Sequence, residues 1–273
     1  PPPAPAPPAA PPAPSAPAKT PITLDGEKPQ KKFYRSRAHC NPLSHNDIFD
    51  YPPRPDLYDW TETHYPDHPS LPPNPTKADR LKITPDVLDV GCGFGGLTVA
   101  LSTLLPESTV LGLEIRAKVA EYVRLRIASR RADKPGSYEN ASVMRSNTMK
   151  HMPNHFRGSS IAKLFFCFPD PHFKRRNHGR RIVTERLLSE YAYFLKPGTG
   201  RLYAITDVEE LHAWHLEKLR SHPMFEELDE EETEKDPCVG AMRVETEEGK
   251  KVERAGGRKY YTVFRRRTDE EAE

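Results

Sequence analysis

VLDVGCGFGG, residues 87 to 96, packs an apolar strand end, one acid and four glycines into ten positions. Val87, Leu88 and Val90 predict the close of a buried parallel strand. Gly91, Gly93, Gly95 and Gly96 predict a turn where backbone must approach a ligand, and the following helix should aim its N-terminus at that ligand. Strand, glycine turn and helix in this order form a nucleotide-cofactor signature.

Spacing alone does not choose the cofactor, because Gly91, Gly93 and Gly96 also satisfy the G-x-G-x-x-G of dinucleotide folds, which keeps NAD open. Two acids shift the balance. Asp89 precedes the first glycine by two residues, and the next strand, read over 109–113, ends in Glu114. A carboxylate at that tip can accept from both ribose hydroxyls and would repel a 2′-phosphate, which argues against NADP. Asp89 suits a cofactor with positive charge near its middle, and S-adenosylmethionine carries such a charge on sulfur.

The rest of the chain reads as one catalytic domain with appendages. Of 30 prolines among 273 residues, eleven fall in the first 22, beside seven alanines. Residues 1–30 therefore read as an extended, solvated Pro/Ala tail with little to bury. It has no run of long aliphatic residues that would make a targeting peptide, and no segment of the chain is apolar enough to span a bilayer. A first residue Pro1 reads as the start of a fragment. Cys40, Cys92, Cys167 and Cys238 are widely spaced and read as reduced thiols of an intracellular protein, and His212 with His215 lacks a third ligand for zinc.

Residues 31–79 combine a basic segment with a proline-broken stretch expected to wrap the domain without regular structure, and the domain core is expected from residue 80 to 267, ahead of an acidic end, 268–273. Strands at 86–90, 109–113, 141–145, 161–168 and 200–205 alternate with helices at 96–104, 116–132, 184–195 and 208–220. Such alternation predicts a parallel sheet with helices on both faces. Asp207 and Glu210 read as a capping box for the last of these helices, 243–267 reads as an edge hairpin turning at Gly256-Gly257, and the acidic run 226–236 reads as a mobile surface loop that cannot face phosphates.

In such sheets ligands bind beyond the carboxyl ends of the strands. The loop after the fourth strand carries KLFFCFPDPHFK, residues 163–174, where two prolines hold Asp170 rigidly between aromatic residues. Lys174, Arg175, Arg176, Arg180 and Arg181 follow at once. Carboxylate, aromatics and cations together suit a nucleobase attached to phosphates. Lys31, Lys32, Arg35 and Arg37, interleaved with Phe33 and Tyr34, form a second basic cluster, and Arg124, Arg126, Arg130 and Arg131 form a third. With a net charge of only +2, this clustering favours RNA over a small molecule.

Several ordered blocks carry a resemblance. They are KKFYRSRAHCNP, DVGCGFGGL, GLEIRAKV, RSNTMKHMP, FFCFPDPHFKRR, ITDVEELHAW and TEEGKKV, spread over about Lys31 to Arg267. The chain resembles the catalytic subunit of the eukaryotic two-subunit tRNA (guanine-N7-)-methyltransferase, a class I methyltransferase related to a single-chain bacterial enzyme. The resemblance implies a Rossmann-like α/β fold, with a mostly parallel seven-stranded sheet and an antiparallel C-terminal edge. It implies S-adenosylmethionine contacts at Gly91, Glu114, Arg116, Asn147 and Thr148, with Cys167 bordering the pocket and Thr246 and Glu248 closing over the cofactor. Asp170 matches the presumed catalytic acid residue. It further implies the variable-loop guanosine at position 46 as target, a non-catalytic WD-repeat β-propeller partner and a place in the nucleus. The helix from Asp207 to Arg220 with the acidic run behind it is the candidate docking surface for that partner. Two other classes stay open: a class I methyltransferase acting on another RNA or a protein, and a non-catalytic RNA-binding subunit.

Overall fold

The computed structural model describes residues 26–37, 40–44 and 48–273. Most of the Pro/Ala tail lies outside the described residues, but Pro29 within 26–30 is buried, so the chain joins the fold before residue 31.

Seven strands form one sheet in the order β3-β2-β1-β4-β5-β7-β6. They are β1 Val87–Val90, β2 Val110–Glu114, β3 Ala141–Arg145, β4 Lys163–Cys167, β5 Arg201–Thr206, β6 Phe225–Glu227 and β7 Tyr260–Arg266. The first five are parallel, and β7 runs antiparallel to both β5 and β6. Every residue of β1 and β2 is buried, which is why these strands read as mostly apolar runs, interrupted only by Gly112 and the two acids, Asp89 and Glu114.

The pleat sorts strand residues between two layers. Leu88, Val90, Leu164, Phe166 and Leu202 pack with α5 (Thr148–His155), α6 (Glu185–Phe194) and α7 (Glu209–Ser221). Val87, Val110, Phe165, Tyr203 and Val263 face α3 (Gly96–Leu104) and α9 (Pro237–Val244), while α4 (Ala117–Asp133) covers Ala141 and Val143.

The proline-broken stretch contributes more than a wrap. It holds two single-turn helices, α1 (Trp60–Thr63) and α2 (Lys77–Arg80), and it sends Trp60 and Tyr65 into the main core, so the core begins well before residue 80. Trp60 stacks on Phe156 at 5.6 Å, and the Tyr65 hydroxyl donates to the Val110 carbonyl at 2.9 Å.

Three expectations about local structure fail, each for a physical reason, and one helix goes unforeseen. Residues 243–267 are not a hairpin: Thr246 caps α10 (Glu247–Arg254), and Gly256, with φ +65°, ends that helix, a role a glycine fills as readily as a hairpin turn. The capping box at Asp207 is absent, because Val208 is the N-cap residue and Glu210 turns to Arg181. The acidic run is ordered structure, β6 followed by α8 (Glu230–Lys235). Glu227 accepts from Arg220, and the Asp236 side chain is buried, taking 2.7 Å bonds from Arg201 and from the Tyr203 hydroxyl. Finally, α5 was not expected, since Pro153 lies inside it; Asn147 starts it by accepting from the Met149 amide at 3.1 Å.

His64 joins the early segment to the sheet. One ring nitrogen lies 2.9 Å from the Tyr58 hydroxyl and the other 3.0 Å from Ser142 Oγ. Burial, helped by the nearby His155, lowers its pKa to about 4. The folded pKa lies below the unfolded value, so this stabilisation is complete above about pH 6.5 and is lost as pH falls towards 4, a span worth about 3 kcal/mol. Thermal melts of a His64→Gln variant should therefore show a shallower loss of Tm between pH 7 and 4 than the parent. Equal slopes would mean that His64 does not set the acid limb.

Candidate active site

A cleft of about 220 Å³ opens beyond the carboxyl ends of β1, β2 and β4. Gly91, Glu114, Arg116, Asn147, Thr148, Cys167 and Asp170 all line it. It opens where β1 meets β4, the point at which the strand order reverses.

The glycine turn forms its floor. Gly91 has φ +72° and Gly93 φ +55°, in the left-handed region that side chains disfavour. The Gly91 and Cys92 amides both donate to the Leu113 carbonyl, at 2.8 and 3.1 Å. Glu114, 2% exposed, accepts from the Gly93 amide at 3.1 Å and is gripped by Arg116 through its amide, Nε and Nη2 at 2.8 to 3.0 Å. Four donors nearly exhaust a carboxylate. A ribose held there would take over bonds that Arg116 now makes.

Asp89 lies beneath the turn, where it accepts from Thr98 Oγ1 at 2.7 Å. Burial, with the charge of Glu114 adding to it, lifts its carboxyl to about 6. Gly112 on the neighbouring strand leaves room for this pair, since a Cβ there would sit 2.9 Å from Thr98 Oγ1. Burial also pushes the Cys92 and Cys167 thiols well above their usual range, which keeps both from acting as thiolate nucleophiles.

The N-terminus of α5 forms one wall. Asn147 there caps the helix and donates to the Pro42 carbonyl at 2.6 Å, and Lys150 donates to the Ser44 carbonyl at 2.7 Å. Cys40 and Pro42 thereby reach the cleft, although neither type signals nucleotide binding in a sequence.

Asp170 stands on the opposite rim. The loop that carries it is bracketed by two left-handed residues other than glycine, Phe168 at φ +52° and His172 at φ +45°. Each costs roughly 1–3 kcal/mol and persists only where surrounding structure enforces it. The His172 amide donates to Asp170 Oδ1 at 3.2 Å, and the His172 ring nitrogen Nδ1 lies 3.8 Å from the same oxygen. Phe173, Lys174, Arg175 and Arg176 are exposed beside it, but Arg181 is buried and does not belong to that basic surface.

Thr246 and Glu248 do not line the cleft. Thr246 Oγ1 accepts from the Gly249 amide at 2.9 Å, and Glu248 pairs on the surface with Lys251. Their helix instead stands behind the cleft wall, where a Cβ on Gly249 would lie 3.5 Å from Phe168. Glu247 of the same helix binds Lys31 and lies 3.5 Å from Arg126, which itself donates to the Phe94 carbonyl at 2.7 Å. Arg126 and Arg131 are thus committed to the fold, whereas Lys32, Arg35, Arg37, Arg124 and Arg130 face solvent.

Among the described residues no group of three or more His, Cys, Asp or Glu side chains could hold a metal ion, and no helix is long and apolar enough to cross a membrane.

Residues 83–262 match the model of a protein family described as "Putative methyltransferase". The chain belongs to this methyltransferase family. A tRNA (guanine-N(7)-)-methyltransferase of Podospora anserina is 48% identical over 258 residues, covering 88% of this chain and 90% of its own. That of Oryza sativa subsp. indica is 50% identical over 242 residues, covering 88% and 92%. The solved 16S rRNA methyltransferase KamB is 17% identical with a TM-score of 0.45, covering 69% of this chain and 92% of that one.

In this methyltransferase the start of α3 touches the turn before α10. A Cβ on Gly96 would stand 2.2 Å from the Glu245 carbonyl oxygen, so Gly96→Ala must push backbone away from the cleft floor. Such overpacking should destabilise the protein by about 1–3 kcal/mol, read as a lowered urea midpoint. An unchanged midpoint would show that the turn yields freely.

Proposed function

We propose that the chain methylates guanine N7 in tRNA with S-adenosylmethionine as methyl donor. The observation that carries this reading is the strained, proline-flanked presentation of Asp170 on the rim of a cleft whose floor holds Gly91 and Glu114. The names borne by relatives at 48% and 50% identity support it.

The cleft residues fit the cofactor chemically. No atom lies within 4 Å of where a Cβ would stand on Gly91, Glu114 offers a carboxylate to a ribose, and Leu113, Ile115 and Met149 offer apolar surface to an adenine. When bound, S-adenosylmethionine supplies a methyl group on a positively charged sulfur. Guanine N7 carries an in-plane lone pair and no proton, so the chain need supply no general base. Placement and charge remain. Asp170 accepts from the N–H groups on the guanine edge, and its negative charge offsets the positive charge that the purine ring acquires. The exposed Lys174, Arg175 and Arg176 meet phosphates, and Phe173, 64% exposed, offers a stacking face.

The target is the variable-loop guanosine at position 46. The chain acts in the nucleus as catalytic subunit beside a WD-repeat β-propeller that binds α7 and the acidic stretch behind it. Exposed Glu209 and Glu217 on α7 and Glu230 to Glu232 on α8 would face basic residues of such a partner.

Incubating the protein with tRNA and labelled S-adenosylmethionine, then mapping methylated guanosines, tests the reaction. Asp170→Asn should lose most turnover while keeping cofactor affinity, whereas Glu114→Ala should weaken cofactor binding by about 1.5–3 kcal/mol in calorimetry. Parental turnover in the first variant, or parental affinity in the second, would overturn that residue's role. Assays with and without the propeller at matched salt test the partner. Full activity of the isolated chain with no gain on addition would favour a single-chain enzyme.

A further inference from the structure

Arg181 is the largest fully buried side chain among the described residues, 2% exposed. Removing a guanidinium from water costs several kcal/mol unless strong partners replace the solvent. Its Nε donates to the Pro171 carbonyl at 2.9 Å, its Nη2 donates to Glu210 on α7 at 2.8 Å, and its Cζ lies 4.6 Å from the centre of the Trp214 ring. The backbone beside Arg181 is fixed as well, for the Tyr191 hydroxyl donates to the Ile182 carbonyl at 2.9 Å and the Trp214 indole donates to the Val183 carbonyl at 2.7 Å.

Pro171 is the residue between Asp170 and His172. Its carbonyl sits inside the segment bracketed by the two left-handed residues, Phe168 and His172. The prolines at 169 and 171 have no N–H to offer within the loop, and the Pro171 carbonyl takes its donor from outside it. Arg181 supplies that donor from a base set by α6 and α7.

We propose that Arg181 is a positioning residue for methyl transfer: it holds the Pro171 carbonyl from α7 and thereby sets where the Asp170 carboxylate is presented. This rests on the functional reading above. It also makes α7 more than a wall of the core.

Arg181→Lys in the full chain keeps the charge but loses the fork that spans Pro171 and Glu210. Single-turnover methylation should fall on the order of 10- to 100-fold, as expected for a misplaced group, while affinities for S-adenosylmethionine and tRNA stay within about twofold. Amide exchange at His172, whose N–H bonds to Asp170, should quicken at least about tenfold as that bond loosens. A purely structural role would instead lower rate, affinities and Tm together. Parental rate together with parental exchange at His172 would overturn the proposal. If Arg181→Lys does not fold, Glu210→Gln decides at a half-exposed position: faster His172 exchange at unchanged Tm supports it, and unchanged exchange refutes it. A parent protein that fails to methylate guanine would strike the functional reading alone, because exchange at His172 still tests the positioning.

Discussion

The Leu113 carbonyl oxygen, at the end of the second strand, receives two backbone amides from the neighbouring turn. This continues the pairing of β1 with β2 past the point where the strands stop. It fixes the distance between Gly91 and Glu114, and the Gly93 amide then closes the arrangement by donating to the Glu114 carboxylate. Turn and carboxylate hold each other. Every other wall of the cleft is placed against this pair: α5 on one side, the Asp170 loop on the other and α10 behind.

Strain on one rim is balanced by order on the opposite one. The loop of Asp170 holds Phe168 and His172 in conformations that neither residue prefers, and it does so between helices whose side chains are already committed. The floor is the reverse, since glycines adopt their conformations there without penalty and the charged groups are paired. A site built this way keeps its tolerance for a changing ligand in the glycines and Arg116, and its precision in the proline loop.

Much of the fold was legible because a parallel sheet buries both faces and its strands therefore read as mostly apolar runs, as in VLDV and LFFC. Of the cleft residues, Gly91, Glu114 and Asp170 were legible for a topological reason, since each ends or follows a parallel strand and all those ends point the same way, whereas Asn147 and Cys167 were named only through the family resemblance. What stayed hidden depends on partners distant in sequence. Asp236 reads as one more acid in an acidic run until Arg201 and Tyr203, from β5, are found against it. Arg181 reads as one more cation beside an RNA-binding loop, and only the packing of α6 and α7 shows that it points inward. Gly256-Gly257 failed differently. A helix end and a hairpin turn both need positive φ, and the glycines alone do not distinguish them.

Strand β7, Tyr260–Arg266, lies between β5 and β6 rather than at the edge, although it follows every other strand in the chain. During synthesis β5 must wait with one side open, and β6 has no sheet neighbour at all, until those late residues arrive. The acidic segment that includes β6 and α8 stays well hydrated through this interval. An apolar segment in the same place would expose a sticky, unpaired strand for as long as the ribosome takes to reach residue 266.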